Sequence, residues 1–237
     1  MRAPPAPSDV QDAADRSVRR TCLGQCAAAS AALLLLLGLV VAHWGPLLTA
    51  DRGIAVDLHA VAVRHSGWTR LNRVLTDWVW DPLTMRLLLL TAVVWLLVRR
   101  ENRQALWLVL AGTLGWVLQQ AVKALVGRQR PRWPDPVDSA AFAAFPSGHA
   151  TTAALVLGAL LWLLLLRVPA RSPWCVAACA VAFVSVVGVG FTRVYLGVHW
   201  PSDVLGGWLL AAAVLTGTAV LCAPWRTGAA APDRPSS

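Results

Sequence analysis

Three short segments of this 237-residue chain hold residue types that can grip and attack an oxyanion. The first carries Lys123, Arg128, Arg130 and Pro131, the second reads Phe145-Pro146-Ser147-Gly148-His149, and the third carries Thr192, Arg193, His199, Pro201 and Asp203. Ser147 directly precedes an apolar run, so it suits an N-cap, and the free N–H groups after it make a helix end that binds anions. Gly148 lets a phosphate approach the backbone closely. Lys123, Arg130 and Arg193 can converge on that anion, because guanidinium forks match phosphate oxygens. Pro201 fits the first helical position, which puts Asp203 in the first turn and His199 just ahead of it. A carboxylate there can hold the proton on one imidazole nitrogen and free the other as nucleophile or base. Two histidines and an aspartate facing three cations suit the making and breaking of phosphate esters.

Plainer readings compete. A histidine or arginine at the end of an apolar span is ordinarily an interfacial anchor. Pro-Ser-Gly-His carries more weight, since composition alone produces it in roughly one chain per thousand of this length. His43, His59 and His65 have no partner pattern and read as residues of an outer amphipathic segment. Cys22 and Cys26 read as small apolar filler in preference to lipidated cysteines.

The elements that must position these residues follow from composition. Apolar residues make up 57% of the chain and charged ones 14%, against about 25% charged in soluble domains. That argues against a soluble globular enzyme, and 13 Trp with so little charge argue against a disordered chain. The net charge of +9 raises nucleic acid as a partner, but the distribution argues for no nucleic acid and for the lipid bilayer. Residues 21–50, 104–122, 139–166, 172–192 and 204–225 carry no formal charge, and 82–98 carries only Arg86. Each stretch can hold the roughly 20 apolar residues needed to cross a bilayer. The expected fold is all-α, an integral membrane six-helix transmembrane bundle with spans near 27–48, 83–98, 105–126, 149–166, 174–190 and 203–221. Residues 51–81 form an outer interfacial amphipathic segment anchored by Trp68, Trp78 and Trp80, and Asp81-Pro82 marks the start of the second span. Residues 1–22 and 223–237 read as disordered cytoplasmic tails around a single six-span domain, 23–222.

With both termini cytoplasmic, the basic residues show a weak positive-inside bias. Four of the outer cations, Lys123, Arg128, Arg130 and Arg132, crowd one ten-residue stretch with a chemical reason to be basic. All five cysteines fall at cytoplasmic span ends, so no disulfide framework is expected. Arg19-Arg20 before an apolar run resembles a twin-arginine signal, but the run is too long for a cleaved h-region.

The three segments together resemble the signature of the type 2 phosphatidic acid phosphatase superfamily: Lys-x6-Arg-Pro, Pro-Ser-Gly-His and Ser-Arg-x5-His-x3-Asp, with Thr192 in place of the serine. The resemblance spans about residues 27–222. It implies a cell-membrane lipid phosphate phosphatase with an extracytoplasmic site and no metal or other cofactor. It makes His199 the nucleophile, Asp203 its orienting partner and His149 the general acid and base. Lys123, Arg130, Arg193, Ser147 and Gly148 become the phosphate-binding set. Phosphatidic acid is the first substrate expected, with undecaprenyl diphosphate as the alternative, and oligomeric state is open. A phosphotransferase, or from another class a non-catalytic membrane protein or anion transporter, stands as a competing reading. Vanadium-dependent haloperoxidases share the anion site, but six spans argue against them.

Overall fold

The computed structural model describes residues 7–222, and among these residues the regular structure is entirely helical. The elements are α1 (Pro7–Val41), α2 (Gly45–Arg64), α3 (Ser66–Val74), a π-helical turn (Leu75–Val79), α4 (Pro82–Val98), α5 (Asn102–Val126), α6 (Gly148–Arg167), α7 (Pro173–Tyr195) and α8 (Pro201–Cys222). Six stretches are long and apolar enough to cross a membrane: Asp15–Val41, Ser66–Val98, Asn102–Val126, Gly148–Arg167, Pro173–Tyr195 and Pro201–Leu221.

Local chemistry sets most of the boundaries. Asp81 Oδ2 accepts from the N–H of Leu83 at 2.6 Å and of Thr84 at 3.3 Å, with Pro82 in the first turn of α4. α5 stops at Gly127, whose φ of 58° is left-handed and whose N–H donates to the Lys123 carbonyl at 3.0 Å. The Ser147 hydroxyl caps α6 by accepting from Ala150 N–H.

Three expectations need correction. The first span does not run to residue 48: α1 ends at Val41, His43 turns with φ 52°, and Pro46 opens α2, because proline cannot continue a helix interior. The amphipathic segment therefore begins at Gly45 and comprises α2, α3 and the π-helical turn. At the other end of α1, the residues assigned to a disordered tail are helical from Pro7, an Ala-containing stretch with no proline after the first position to interrupt it. The rest of the two expected tails, 1–6 and 223–237, lies outside the described residues. Finally, Trp78 is exposed as an interfacial anchor would be, but Trp80 lies half-buried, its ring filling the space where a Cβ on Gly188 of α7 would stand.

Helix α8 is central, packing against α1, α5 and α6. One core cluster joins Met85, Leu155, Val156, Val189, Ala211 and Val214. A second surrounds the fully buried Trp107, whose indole N–H donates to the Thr218 hydroxyl of α8 at 3.1 Å. Large apolar side chains such as Leu90, Val94, Leu114 and Phe183 stay exposed on the outside of the bundle, the surface a bilayer covers. Cys22 is buried against Ala219 as apolar filler, and Cys22, Cys26, Cys175 and Cys179 are free thiols. One end of the bundle is tied by Arg167, which bonds Glu101 and Gln104 across the α4–α5 turn.

The opposite end collects the long α5–α6 loop, the short α7–α8 connection and α2. Here α8 is stripped of side chains: a Cβ on Gly207 would stand 2.9 Å from both the Ser147 carbonyl and the Thr151 hydroxyl, and one on Gly206 2.5 Å from the Phe145 ring. The two glycines let the start of α6 press onto the start of α8, where Ser147 N–H donates to the Asp203 carbonyl at 2.9 Å.

Candidate active site

The structure brings the three segments together at this end. His199 lies in the α7–α8 connection, 1% exposed, after a left-handed turn at Gly197 with φ 71°. The Gly197 carbonyl accepts from the Trp133 indole at 2.8 Å, which braces the turn. His59 of α2 stacks on Trp133 with ring centroids 4.1 Å apart. This contact packs α2 against the turn.

The ring nitrogens of His199 have distinct partners. Nδ1 lies 3.3 Å from Asp203 Oδ2, and Nε2 lies 3.0 Å from Arg130 Nη1. A guanidinium only donates, so Nε2 must present its lone pair and Nδ1 must carry the proton, which the carboxylate accepts. This assignment comes from the partners. Burial first, then the positive charges of Arg130, Arg193 and Lys123, hold the His199 imidazole well below its ordinary pKa, so it is neutral at pH 7. A neutral imidazole whose Nε2 lone pair faces cations has the chemistry to act as a nucleophile toward an anion held there.

Asp203 is wholly buried. Its Oδ2 also accepts Trp200 N–H at 2.8 Å, and its Oδ1 accepts Arg128 Nη1 at 2.6 Å. His149 is the second residue of α6 and stands within Coulombic reach of Arg193, His199, Arg130 and Lys123.

The cations reach the site from three elements. Lys123, in the last turn of α5, donates to the Ala143 carbonyl at 2.6 Å. Arg130 ties the loop to His199, donating to the carbonyls of Val198 at 2.6 Å and of Ala141 and Phe142 at 3.0 Å. Phe142 presents its carbonyl from a left-handed conformation, φ 67°, uncommon for a bulky residue. Arg193 is 3% exposed, donates from Nη1 to the Thr76 hydroxyl at 3.2 Å, and lies 3.8 Å from Asp138 Oδ2. Its Nε is buried without a hydrogen-bond partner among the described residues, a donor left for a ligand to satisfy.

Two of the expected binding residues have structural duties as well. The Ser147 hydroxyl is engaged as the helix cap. Gly148 leaves space that Gln119 of α5 fills, since a Cβ there would stand 3.1 Å from Gln119 Nε2. The Thr192 hydroxyl bonds back to the Val189 carbonyl at 2.8 Å within its own helix, a bond that serine makes equally well.

Sequence reasoning passed over Asp51, Thr76, Asp138 and Ser202, and counted Arg128 only as one more outer cation. Thr76 is aimed at Arg193 by the π-helical turn, for which the sequence carries no plain signal. Asp51 ends a long neutral stretch and was available as a clue, but its partners are far away in the chain.

The family model described as the PAP2 superfamily matches residues 104–227, more than half of the chain and all of the segments that meet at His199. This chain belongs to the PAP2 superfamily. Phosphatidylglycerophosphatase B of Bacillus subtilis is 32% identical over 170 residues, covering 71% of this chain and 81% of that protein. An undecaprenyl-diphosphatase of Sulfolobus acidocaldarius is 27% identical over 195 residues, covering 75% and 84%. The crystal structure of a transmembrane PAP2-type phosphatidylglycerolphosphate phosphatase from Bacillus subtilis superposes with a TM-score of 0.64 at 25% identity, covering 82% of this chain and 94% of that one. The protein is thus a PAP2 membrane phosphatase.

In this PAP2 site, Lys123 is the lone lysine among 21 basic residues. Its ammonium is a compact point charge on the Ala143 carbonyl, where arginine would bring a longer, planar fork. Lys123→Arg is expected to lower kcat/KM at least about tenfold, roughly 1.4 kcal/mol of transition-state stabilisation. Full activity in steady-state assays of that variant would show the ammonium's shape to be irrelevant.

Proposed function

We propose that this phosphatase hydrolyses lipid phosphate monoesters, with phosphatidic acid as the representative substrate, through a phosphohistidine on His199 and without a metal. The observation that carries the mechanism is the pairing of His199 with Asp203 on Nδ1 and with a cation on Nε2. Substrate phosphate draws Arg130 from Nε2 onto an equatorial oxygen. The Nε2 lone pair then forms the N–P bond as the ester P–O bond breaks, and His149 delivers its proton to the leaving alkoxide. In the second step His149 removes a proton from water, whose oxygen attacks phosphorus as the N–P bond breaks. Lys123, Arg130, Arg193 and the backbone N–H groups at the start of α6 hold the charge that spreads over the equatorial oxygens.

Lipid substrates fit a site at the end of a membrane bundle, and both curated relatives bear the names of enzymes acting on lipid phosphates. The undecaprenyl-diphosphatase similarity favours a second reading, hydrolysis of a polyprenyl diphosphate. Purified protein is assayed for phosphate release from phosphatidic acid, phosphatidylglycerophosphate and undecaprenyl diphosphate, each with and without EDTA. The monoester reading expects faster turnover of a monoester and no effect of chelation. A strong preference for the diphosphate transfers the assignment to the second reading, a demand for added Mg²⁺ contradicts the chemistry, and no release from any of the three lipids overturns both substrate readings.

The site is placed on the extracytoplasmic face, with both termini cytoplasmic, on the basic-residue bias. A single cysteine introduced near Asp138, in a background lacking the native cysteines, is expected to react with an impermeant thiol reagent in intact cells. Reaction only after permeabilisation would invert the topology.

A further inference from the structure

Behind the His199–Asp203 pair lies a second ionic layer that the proposed chemistry does not use. Arg128 leaves the α5–α6 loop and places one guanidinium nitrogen on Asp203 Oδ1 at 2.6 Å and on the Ser202 hydroxyl at 2.7 Å. Its other terminal nitrogen donates to Asp51 Oδ2 of α2 at 2.8 Å. Asp51 is itself 2% exposed and accepts Ser202 N–H at 2.9 Å and the Ser202 hydroxyl at 2.5 Å. The Trp200 ring lies 5.8 Å from the guanidinium carbon. All of this surrounds the start of α8, so the carboxylate that orients His199 is itself oriented by an arginine clamped from a helix 152 positions earlier in the chain.

We infer that Arg128, locked in place by Asp51, is a positioning residue that aims the Asp203 carboxylate at His199 Nδ1 and so selects the tautomer whose Nε2 can attack. The inference rests on the proposed role of His199. A carboxylate buried in this way has three candidate hydrogen-bond donors, and its rotamer decides whether Oδ2 faces the imidazole. Arg128 occupies Oδ1 from the opposite side, which leaves Oδ2 for Trp200 N–H and His199. A guanidinium gripping two carboxylates has one geometry, whereas a lone cation would permit several. Arg128 does not touch the position in front of Nε2, so its effect passes through Asp203.

The test uses full-length protein in lipid nanodiscs and two independent readouts. Arg128→Gln and Asp51→Asn are expected to lower kcat roughly 10- to 100-fold with KM changed less than about threefold, the size of effect typical of partners one shell behind a reacting group. Arg128→Lys, which keeps one donor and the charge, is expected to recover part of the loss. In an Asp203→Asn background Arg128→Gln should cost nothing further, because the residue through which it acts is already disabled. The second readout is ¹⁵N NMR of imidazole-labelled protein. His199 is expected as the Nδ1–H tautomer in the native protein and as a tautomer mixture in Arg128→Gln. Additive losses in the double variant together with an unchanged tautomer would overturn the positioning role. A tautomer shift on Arg128→Gln in a protein that releases no phosphate from any lipid would uphold the positioning role and remove only the proposed function. If Arg128→Gln fails to fold, Asp51→Asn and Arg128→Lys carry both readouts, and native kcat with a native tautomer in both overturns the inference.

Discussion

His199→Ala is expected to abolish phosphate release, a loss of at least about 10⁴-fold by analogy with removal of a nucleophile from other covalent hydrolases. Alanine leaves the cations and His149 able to hold a phosphate but removes the lone pair proposed to attack phosphorus. The fold should tolerate the change. Asp203 keeps Arg128 and Trp200 N–H as donors, and Arg130 keeps its carbonyls, so no buried charge is orphaned. Membrane insertion and chromatographic behaviour are therefore expected to match the native protein. Release above background in phosphate-detection assays would remove His199 as nucleophile.

Asp203→Asn is expected to be nearly as damaging, about 10³- to 10⁴-fold in kcat, for a different reason. Both carboxylate oxygens accept: Oδ1 from Arg128, Oδ2 from Trp200 N–H and His199 Nδ1. An asparagine has one acceptor oxygen and one NH₂. With the NH₂ toward His199, it opposes Trp200 N–H and draws the imidazole proton from Nδ1 to Nε2, so that the proton blocks the attacking lone pair. With the NH₂ toward Arg128, two donors oppose each other in a fully buried site. Steady-state kcat, measured beside thermal unfolding to separate chemistry from stability, checks this outcome. A variant with more than a tenth of native kcat would show that Asp203 does not govern the proton on His199.

Both expectations concern residues that were legible before any coordinates, and the reason is local. His199 and Asp203 stand four positions apart across a helix start marked by Pro201, and Ser147 and His149 flank the start of another. Spacing within one turn and capping chemistry place such groups relative to each other whatever the rest of the chain does. The six spans were legible for a similar reason, since a bilayer demands long uncharged runs. Boundaries were less so: the end of α1 at Val41 depended on Pro46, a breaker inside a run apolar enough to conceal it.

The class of the protein, the residue types of its candidate site and the short-range pairs proposed to do its chemistry were all readable from the chain alone, because hydropathy and helix-end spacing act within about 20 residues. Only the tertiary structure decided that Arg128 and Asp51 stand behind Asp203, that Thr76 and Asp138 flank Arg193, and that Gly206 and Gly207 exist to seat the start of α6. Those contacts join positions 55 to 151 residues apart, or distinct helices pressed face to face. Long-range ion pairs leave no periodic trace in a sequence. They arise where the packing of α2, α6 and α8 strips water from charged groups and obliges each to find a partner.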